Sequence, residues 1–262
     1  MTRQIVSSPD WPCELLTNFS EENLGNGYRI SSGLDWVFGQ CAEAIILEDD
    51  CLPDPSFLSF CSSLLTYYRG DTRIMHISGN NYQDGVRRGN ASYFFSRYSL
   101  SWGWASWARA WRHYDFSFNS WPTARDEDWL KSVLEDPIEI EYWTPIFERL
   151  YRGLIDTWDY QWLLTCWFQN GLSIQPNVNL VSNVGVGPDA TNFKKAHSTI
   201  GIPTQELREL VHPKRMNRDI EADRFTFKQH IAPKPVSQLQ KLKNEIALRT
   251  RIKGWVRRYC VV

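Results

Sequence analysis

Three adjacent acidic residues, Glu48, Asp49 and Asp50, directly follow a short apolar run. The run at 44–47 includes two β-branched isoleucines and predicts a buried strand. Ligands of open α/β sheets bind beyond the carboxyl ends of the strands. Adjacent carboxylates repel one another, and a divalent cation relieves that repulsion. Oxygen ligands favour Mg²⁺, Mn²⁺ or Ca²⁺ over Zn²⁺, so the pattern predicts a site for a hard cation.

The next acidic residue has a different interpretation. Asp54 stands immediately before Pro55, and this order is typical of a helix N-cap followed by proline at the first helical position. A cap needs only Asp54 and leaves the three preceding acids without a role. We therefore favour the metal interpretation for those three.

A further acidic residue, Asp159, is predicted in the first turn of a helix at 158–169. The helix dipole favours the ionised form of a carboxylate at that position. An ionised carboxylate that faces a cleft is a credible general base. The commoner role of such an acid is simply to stabilise the helix, and both interpretations remain open. Asp156 or Thr157 is the expected N-cap of this helix.

The chain contains 13 tryptophans, and several are concentrated at 101–111. We predict a helix from Ala105 onward, because the tryptophans there recur at helical spacing. Gly103 lies between two tryptophans and suggests a backbone that approaches another group closely. The expected core pair is Trp107 and Trp111, and the pair that could belong either to the core or to a ligand site is Trp102 and Trp104.

Helices and strands alternate along the rest of the chain, which predicts an α/β fold. We expect strands at 13–17, 73–79, 93–98 and 171–176, helices at 28–41 and 55–68, and helices with loops at 112–155. The length favours one domain with an appendage. We expect the domain at 1–232 and a separate C-terminal segment at 233–262.

The C-terminal segment is strongly basic, with Glu245 as its one acid. Its apolar residues recur at helical spacing, namely Leu248, Ile252, Trp255 and Tyr259. This pattern predicts a basic amphipathic helix, which either contacts an anionic membrane peripherally or packs on the domain with a solvated basic face.

Bulk properties narrow the class of protein. The net charge is -1 and the pI is about 6.5, so we expect no nucleic-acid partner. The six cysteines form no Cys-x-x-Cys pair and follow no secretory leader pattern, which predicts reduced thiols and a cytoplasmic location, with possible contact at the inner face of the membrane. No apolar stretch is long enough to span a bilayer.

Four segments together resemble the GT-A glycosyltransferases. More narrowly, they resemble bacterial family 2-like and hemolytic-protein-like relatives of the N-acetylglucosaminyltransferase that begins complex N-glycans. The segments are 46–50, 77–81, 102–104 and 158–162. Their order and rough spacing agree with that family over about residues 20 to 190. Each motif alone is weak, whereas the combination is specific.

The resemblance implies a GT-A, Rossmann-like mixed sheet flanked by helices. It implies a nucleotide-sugar donor, a glycan or another hydroxyl acceptor, and Mn²⁺ or Mg²⁺ as the metal. Asp50 would bind the metal, Glu48 and Asp49 would contact the ribose and sugar sides of the donor, and Asp159 would deprotonate the acceptor in an inverting transfer. The other donor-binding positions that it implies are Asn80, Trp102, Gly103 and Trp104.

The chain departs from that family at its start. The family's fold begins with a strand and a helix that help to hold the nucleotide, whereas only 47 residues precede Glu48 here. We therefore expect that first unit to be missing, and an inactive truncated remnant is one alternative. A metal-dependent phosphoesterase is another, although the five histidines form no clustered ligand motif.

Overall fold

The computed structural model describes residues 9–185 and 199–232, together with Arg3 and Ser7. Within these residues a mixed parallel and antiparallel sheet is flanked by helices, so the predicted α/β class is confirmed. The predicted basic helix at 233–262 lies outside the described residues.

The elements alternate along the chain as expected. The helices are α1 (Asn26–Gln40), α2 (Pro55–Tyr67), α3 (Ala108–Trp111), α4 (Trp121–Asp126), α5 (Leu130–Val133), α6 (Pro137–Tyr151), α7 (Asp159–Phe168) and α8 (Ile220–Thr226), which continues as a π-helix at Phe227–Ile231. The strands are β1 (Glu43–Ile46), β2 (Cys51–Pro53), β3 (Ile74–Ser78), β4 (Tyr93–Ser96), β5 (Trp104–Trp107), β6 (Leu172–Pro176) and β7 (Val181–Asn183).

The main sheet has the strand order β1-β5-β3-β6-β4. Strands β3 and β6 are parallel, and the other pairs of this sheet are antiparallel. Strands β2 and β7 form a separate antiparallel pair beside it. The acidic turn Glu48–Asp50 thus connects the edge of the main sheet to the small pair.

Strand β1 confirms the predicted strand before the acids, but it is half-buried throughout. It lies at the edge of the sheet and pairs only with β5, where Ile46 is opposite Trp104. The expectation of a buried strand was therefore wrong, because an edge strand has a neighbour on one side only.

Helix α2 follows its local signals closely. Asp54 Oδ1 accepts a hydrogen bond from the Ser56 backbone amide at 2.9 Å, so Asp54 is the predicted N-cap. The apolar face of the helix is buried against the sheet, with Phe57, Cys61 and Leu64 fully enclosed. Burial of each large apolar side chain contributes roughly 1.5–3 kcal/mol, which is the main stabilisation of this helix.

Two predictions of secondary structure were wrong. Residues 13–17 form no strand. The helix expected from Ala105 is instead strand β5, and helix begins only at Ala108. Trp104 and Trp107 lie three residues apart, so in a strand they point to opposite faces of the sheet and join different apolar clusters. Pairing with β1 and β3 on both sides outweighs the helical spacing.

Two further expectations concerned reduced thiols and the lack of a membrane-spanning stretch. All five cysteines in the described part of the chain are free of disulfide bonds. Across that same part, no helix is both long and apolar enough to cross a membrane.

Candidate functional site

A cleft of about 480 Å³ opens where the ends of several elements meet. Its walls combine eight aromatic side chains with three carboxylates. The acidic members are Glu48, Asp156 and Asp159, and the aromatic members are Tyr82, Tyr98, Trp102, Tyr142, Trp143, Trp158, Tyr160 and His230. Clefts that combine aromatic walls with a few polar groups are typical ligand sites.

Glu48 and Asp159 line this cleft together, although they come from distant parts of the chain. Burial raises the pKa of Glu48 to about 7, and repulsion from Asp50, Asp159 and Asp49 adds to that shift. A hydrogen bond from the Trp158 side chain opposes it. Two of the predicted site acids are therefore electrostatic neighbours in one cleft.

Asp159 lies half-exposed at the first position of α7. The Thr157 hydroxyl donates a hydrogen bond to Asp159 Oδ1. Desolvation by burial nevertheless raises the pKa of Asp159, even though hydrogen bonds from Thr157 and from the backbone amides of Asp159 and Tyr160 favour the ionised form. The helix start thus favours the ionised form, as predicted, but desolvation outweighs it and the net shift of the Asp159 pKa is upward.

Asp156 has a role that its sequence position did not predict. Its carboxylate accepts hydrogen bonds from the backbone amides of Asn26 and Gly27, both at 2.8 Å. It thus caps α1, whereas the N-cap position of α7 is Trp158, which makes no side-chain cap bond. A Cβ at Gly27 would lie 2.6 Å from the Thr157 carbonyl oxygen, so glycine permits this close approach.

Asp49 and Asp50 lie outside the lining of the cleft. Asp49 is exposed, and Asp50 is half-exposed with its carboxylate directly over Gly185, where a Cβ would overlap it. The Asp50 carbonyl oxygen accepts a hydrogen bond from the Val184 amide at 2.9 Å. This contact holds the acidic turn against the end of β7.

These residues suit a hard cation only in part. The charged groups that shift the pKa of Glu48 are all carboxylates, and a cation would relieve their repulsion. Glycine at position 185 leaves room beside the Asp50 oxygens. However, no three His, Cys, Asp or Glu side chains of the described residues are grouped as metal ligands. A cation held by Asp50 would thus need further oxygen ligands, such as those of a bound diphosphate.

Asn80 and Gly103 organise the loop before β5. The Asn80 side chain donates to the Val181 carbonyl at 3.1 Å and accepts from the Trp102 amide at 3.1 Å. Gly103 has a φ of 67°, and a Cβ there would lie 2.6 Å from Val181 Cγ2. The close approach predicted for Gly103 is therefore to Val181, and both residues position Trp102.

Trp102 and Trp104, the pair that could belong either to the core or to a ligand site, differ in position. Trp102 is half-buried, lines the cleft and meets Tyr82 edge to face at 6.0 Å between ring centroids. Trp104 is fully buried and stacks on Trp158 at 5.3 Å. Trp104 therefore supports the cleft wall from behind, and only Trp102 of this pair reaches the cleft. Burial of the predicted core residues Trp107 and Trp111 is confirmed.

His76 supports the cleft wall from the core. It is fully buried and stacks on Trp104 at 5.0 Å. Its Nδ1 accepts from Trp162 Nε1 at 3.1 Å, and its Nε2 donates to the Leu100 carbonyl at 2.9 Å. This pattern requires the neutral tautomer with a proton on Nε2, and burial lowers the pKa of His76 to about 4.

Several cleft residues were not predicted from the sequence. Tyr98 follows β4, Tyr142 and Trp143 lie on α6, and His230 lies on the π-helix with Nε2 at 2.9 Å from Asp84 Oδ1. The aromatic residues at 142–160 are a compositional signal for a ligand wall, but no local spacing distinguishes them from core residues. π-Helical turns are frequent at functional sites.

Neither a scan against models of protein families nor a search of curated proteins gave a match for this chain. The function is therefore inferred from the cleft and its residues.

Proposed function

We propose that this protein is an inverting, metal-dependent glycosyltransferase that moves a sugar from a nucleotide-sugar donor to an acceptor hydroxyl. The observation that carries the proposal is the meeting of Glu48 and Asp159 in one aromatic cleft. One acid ends an edge strand and the other begins a buried helix. That combination matches a donor side and an acceptor side of a group-transfer site.

On the donor side, Asp50 would hold the metal and Glu48 and Asp49 would contact the nucleotide sugar. Mn²⁺ or Mg²⁺, when bound, would neutralise the negative charge that develops on the leaving diphosphate. The repulsion between the carboxylates of this turn supports the role, because a cation and its ligands would lower it. Trp102 would offer its ring face to the donor from the adjacent loop.

On the acceptor side, Asp159 would take the proton of the attacking hydroxyl. The hydroxyl oxygen forms the new bond to the anomeric carbon, while the bond from that carbon to the diphosphate oxygen breaks. A raised pKa suits this role, because a general base works best when its pKa approaches the working pH. The aromatic walls suit sugar rings, which present apolar C–H faces to tryptophan and tyrosine.

The test is release of nucleoside diphosphate from a panel of UDP- and GDP-sugars, with and without Mn²⁺ and simple sugar acceptors. We expect metal-dependent release that Asp159→Asn reduces by roughly 10²–10⁴-fold. Asp71→Asn is the matched control, because Asp71 pairs with Arg73 and does not line the cleft.

Two results would contradict the proposal. Calorimetry that detects no donor binding at all would favour a protein without this activity. Hydrolysis of a simple phosphodiester in the absence of sugar transfer would favour a phosphoesterase.

A further inference from the structure

Five charged side chains form a cluster behind the cleft, three of them buried, and we call it the charge cluster. Its members are Arg97, Glu135, Glu139, Arg218 and Asp223. The side chains of Arg97, Glu139 and Asp223 have exposed fractions of 4%, 1% and 0%. None of the five belongs to the cleft lining.

Arg97 makes the largest number of different contacts in this cluster. Its Nη2 donates to Glu139 Oε2 at 2.7 Å, and its Nη1 lies 3.0 Å from Glu135 Oε2. The same Nη1 donates to the Val133 carbonyl at 2.6 Å. Its backbone amide donates to Asp223 Oδ2 at 3.3 Å. The planar guanidinium therefore joins Glu135, Glu139 and the Val133 carbonyl, whereas the hydrogen bond to Asp223 comes from the main chain of Arg97.

Two partners of Arg97, Glu139 and Asp223, lie on helices that form a wall of the cleft or lead into one. Glu139 precedes Tyr142 and Trp143 on α6 by three and four residues, so all three lie on one side of that helix. Asp223 lies on α8, which runs on into the π-helix that carries His230. Arg97 itself directly precedes Tyr98, whose hydroxyl also donates to Glu139 Oε2, at 3.2 Å.

The α7 wall of the cleft contacts the main chain of Arg97. Trp167 Nε1 donates to the Arg97 carbonyl at 2.9 Å. Trp167 lies on α7, the helix that begins with Asp159. Four of the segments that form the cleft or lead into it therefore contact this one residue.

Stability alone is a poor reason for such a cluster. Replacing buried ion pairs with well-packed apolar groups is often neutral or stabilising, because desolvation offsets the attraction. The nitrogens of a guanidinium donate hydrogen bonds in fixed directions, so they set the distance and angle between the elements that they join. An apolar contact does not set that geometry.

We propose that Arg97 is a positioning residue that fixes the walls of the cleft relative to one another without touching a ligand. Four parts of the cleft keep one arrangement because each is hydrogen-bonded to Arg97 or to its direct partner. They are the α6 wall, the α7 wall, the π-helix and the loop after β4.

The test compares Arg97→Lys with Arg109→Lys by hydrogen–deuterium exchange. Arg109 is the matched control, because its guanidinium donates to the carbonyls of Arg69, Tyr68 and Ile74, and it does not line the cleft. Arg97→Lys keeps the positive charge but loses the guanidinium N–H groups that donate in several fixed directions. We expect faster exchange in peptides covering 98–102, 140–143 and 227–231, with thermal unfolding still cooperative. Arg109→Lys should change exchange only around its own contacts.

Equal exchange of wild type and Arg97→Lys in those three peptides would overturn the proposal, and so would a uniform rise over the whole chain like that of a generally destabilised protein. Glu139→Gln is the second variant if Arg97→Lys does not fold. It is isosteric, and we expect faster exchange at 98–102 and 140–143.

A kinetic measurement adds a quantity, kcat/KM, that should not change if the role of Arg97 is purely structural. With UDP-glucose and Mn²⁺ as probes, Arg97→Lys should lower kcat/KM by up to about 10²-fold, the loss expected for a misplacement of about 1 Å. Arg109→Lys of equal thermal stability should retain the wild-type value, and an equal loss in both variants would contradict positioning by Arg97. This measurement rests on the proposed glycosyltransferase function, whereas hydrogen exchange does not. Absence of wild-type turnover with every donor and acceptor of the panel would contradict that function and leave the exchange test decisive for Arg97.

Discussion

The Asp156 carboxylate accepts a hydrogen bond from the Gly27 backbone amide at 2.8 Å, although 129 residues separate the two in the chain. The second carboxylate oxygen accepts from the Asn26 amide at the same distance. Gly25 occupies the N-cap position of α1 and has no side chain to satisfy these amides. A cleft residue therefore supplies the missing cap, and it ties α1 to the loop that leads into α7.

The first prediction concerns this remote cap. Asp156→Ala leaves two helix amides without their partner and removes a negative charge from the helix start, so the free energy of unfolding should fall by about 1–2 kcal/mol. Urea denaturation measures the change. Asp54→Ala is the matched control, because Asp54 caps α2 from its own end and should cost a similar amount. Unchanged stability of Asp156→Ala would refute the capping role.

A second prediction separates Asp159 from Asp156. Asp159→Asn should reduce sugar transfer by roughly 10²–10⁴-fold while donor binding survives, because only the proton acceptor is lost. Burial raises the pKa of Asp159, so wild-type activity should increase with pH as this carboxyl loses its proton. Steady-state rates across the pH range and calorimetric donor binding give both quantities. Transfer by Asp159→Asn at the wild-type rate would exclude it as the base.

The third prediction concerns the metal. Asp50→Asn should abolish Mn²⁺-dependent donor binding and leave thermal unfolding close to wild type, because a half-exposed carboxylate contributes little to packing. Isothermal titration with UDP-sugar, with and without Mn²⁺, measures the effect. Asp71→Asn should behave like wild type in the same titration. If Asp50→Asn binds donor with the same metal dependence, then Asp50 is not the ligand.

The fourth prediction uses the pH dependence of stability. Burial raises the pKa of Asp223 from its ordinary 3.8 to about 7, although Ser96, Arg97 and Arg218 oppose the shift. The folded protein therefore keeps a proton that the unfolded chain releases between these values. The free energy of unfolding should fall as pH rises from about 4 to about 7, by up to about 4 kcal/mol from this group.

Asp223→Asn tests that assignment, since asparagine cannot titrate. Urea denaturation at several pH values between about 5 and 8 should show a flatter profile for this variant than for wild type. Asp219→Asn is the control, because asparagine preserves the N-cap of α8 and leaves Asp223 in place. Parallel profiles for wild type and Asp223→Asn would rule out Asp223 as the titrating group.

The sequence by itself determined those features whose signals are local. The N-cap at Asp54 and the helix that follows it depend on residues within a few turns of one another, and both were predicted correctly. The strand before Glu48 and the helix that begins near Asp159 follow for the same reason. Side-chain periodicity is a property of one segment, so no knowledge of its neighbours is needed to recognise it.

Only the tertiary structure decided features that depend on partners distant in sequence. Trp104–Trp107 is a strand because β1 and β3 pair with it on both sides, against the helical spacing of its tryptophans. Asp156 caps α1 rather than α7 because two amides far away in the chain come within hydrogen-bond distance. Desolvation by surrounding groups outweighs the effect of the helix start on the pKa of Asp159. Hydrogen-bond partners and burial arise from the packing of whole elements, and no local pattern of residues encodes which elements will meet.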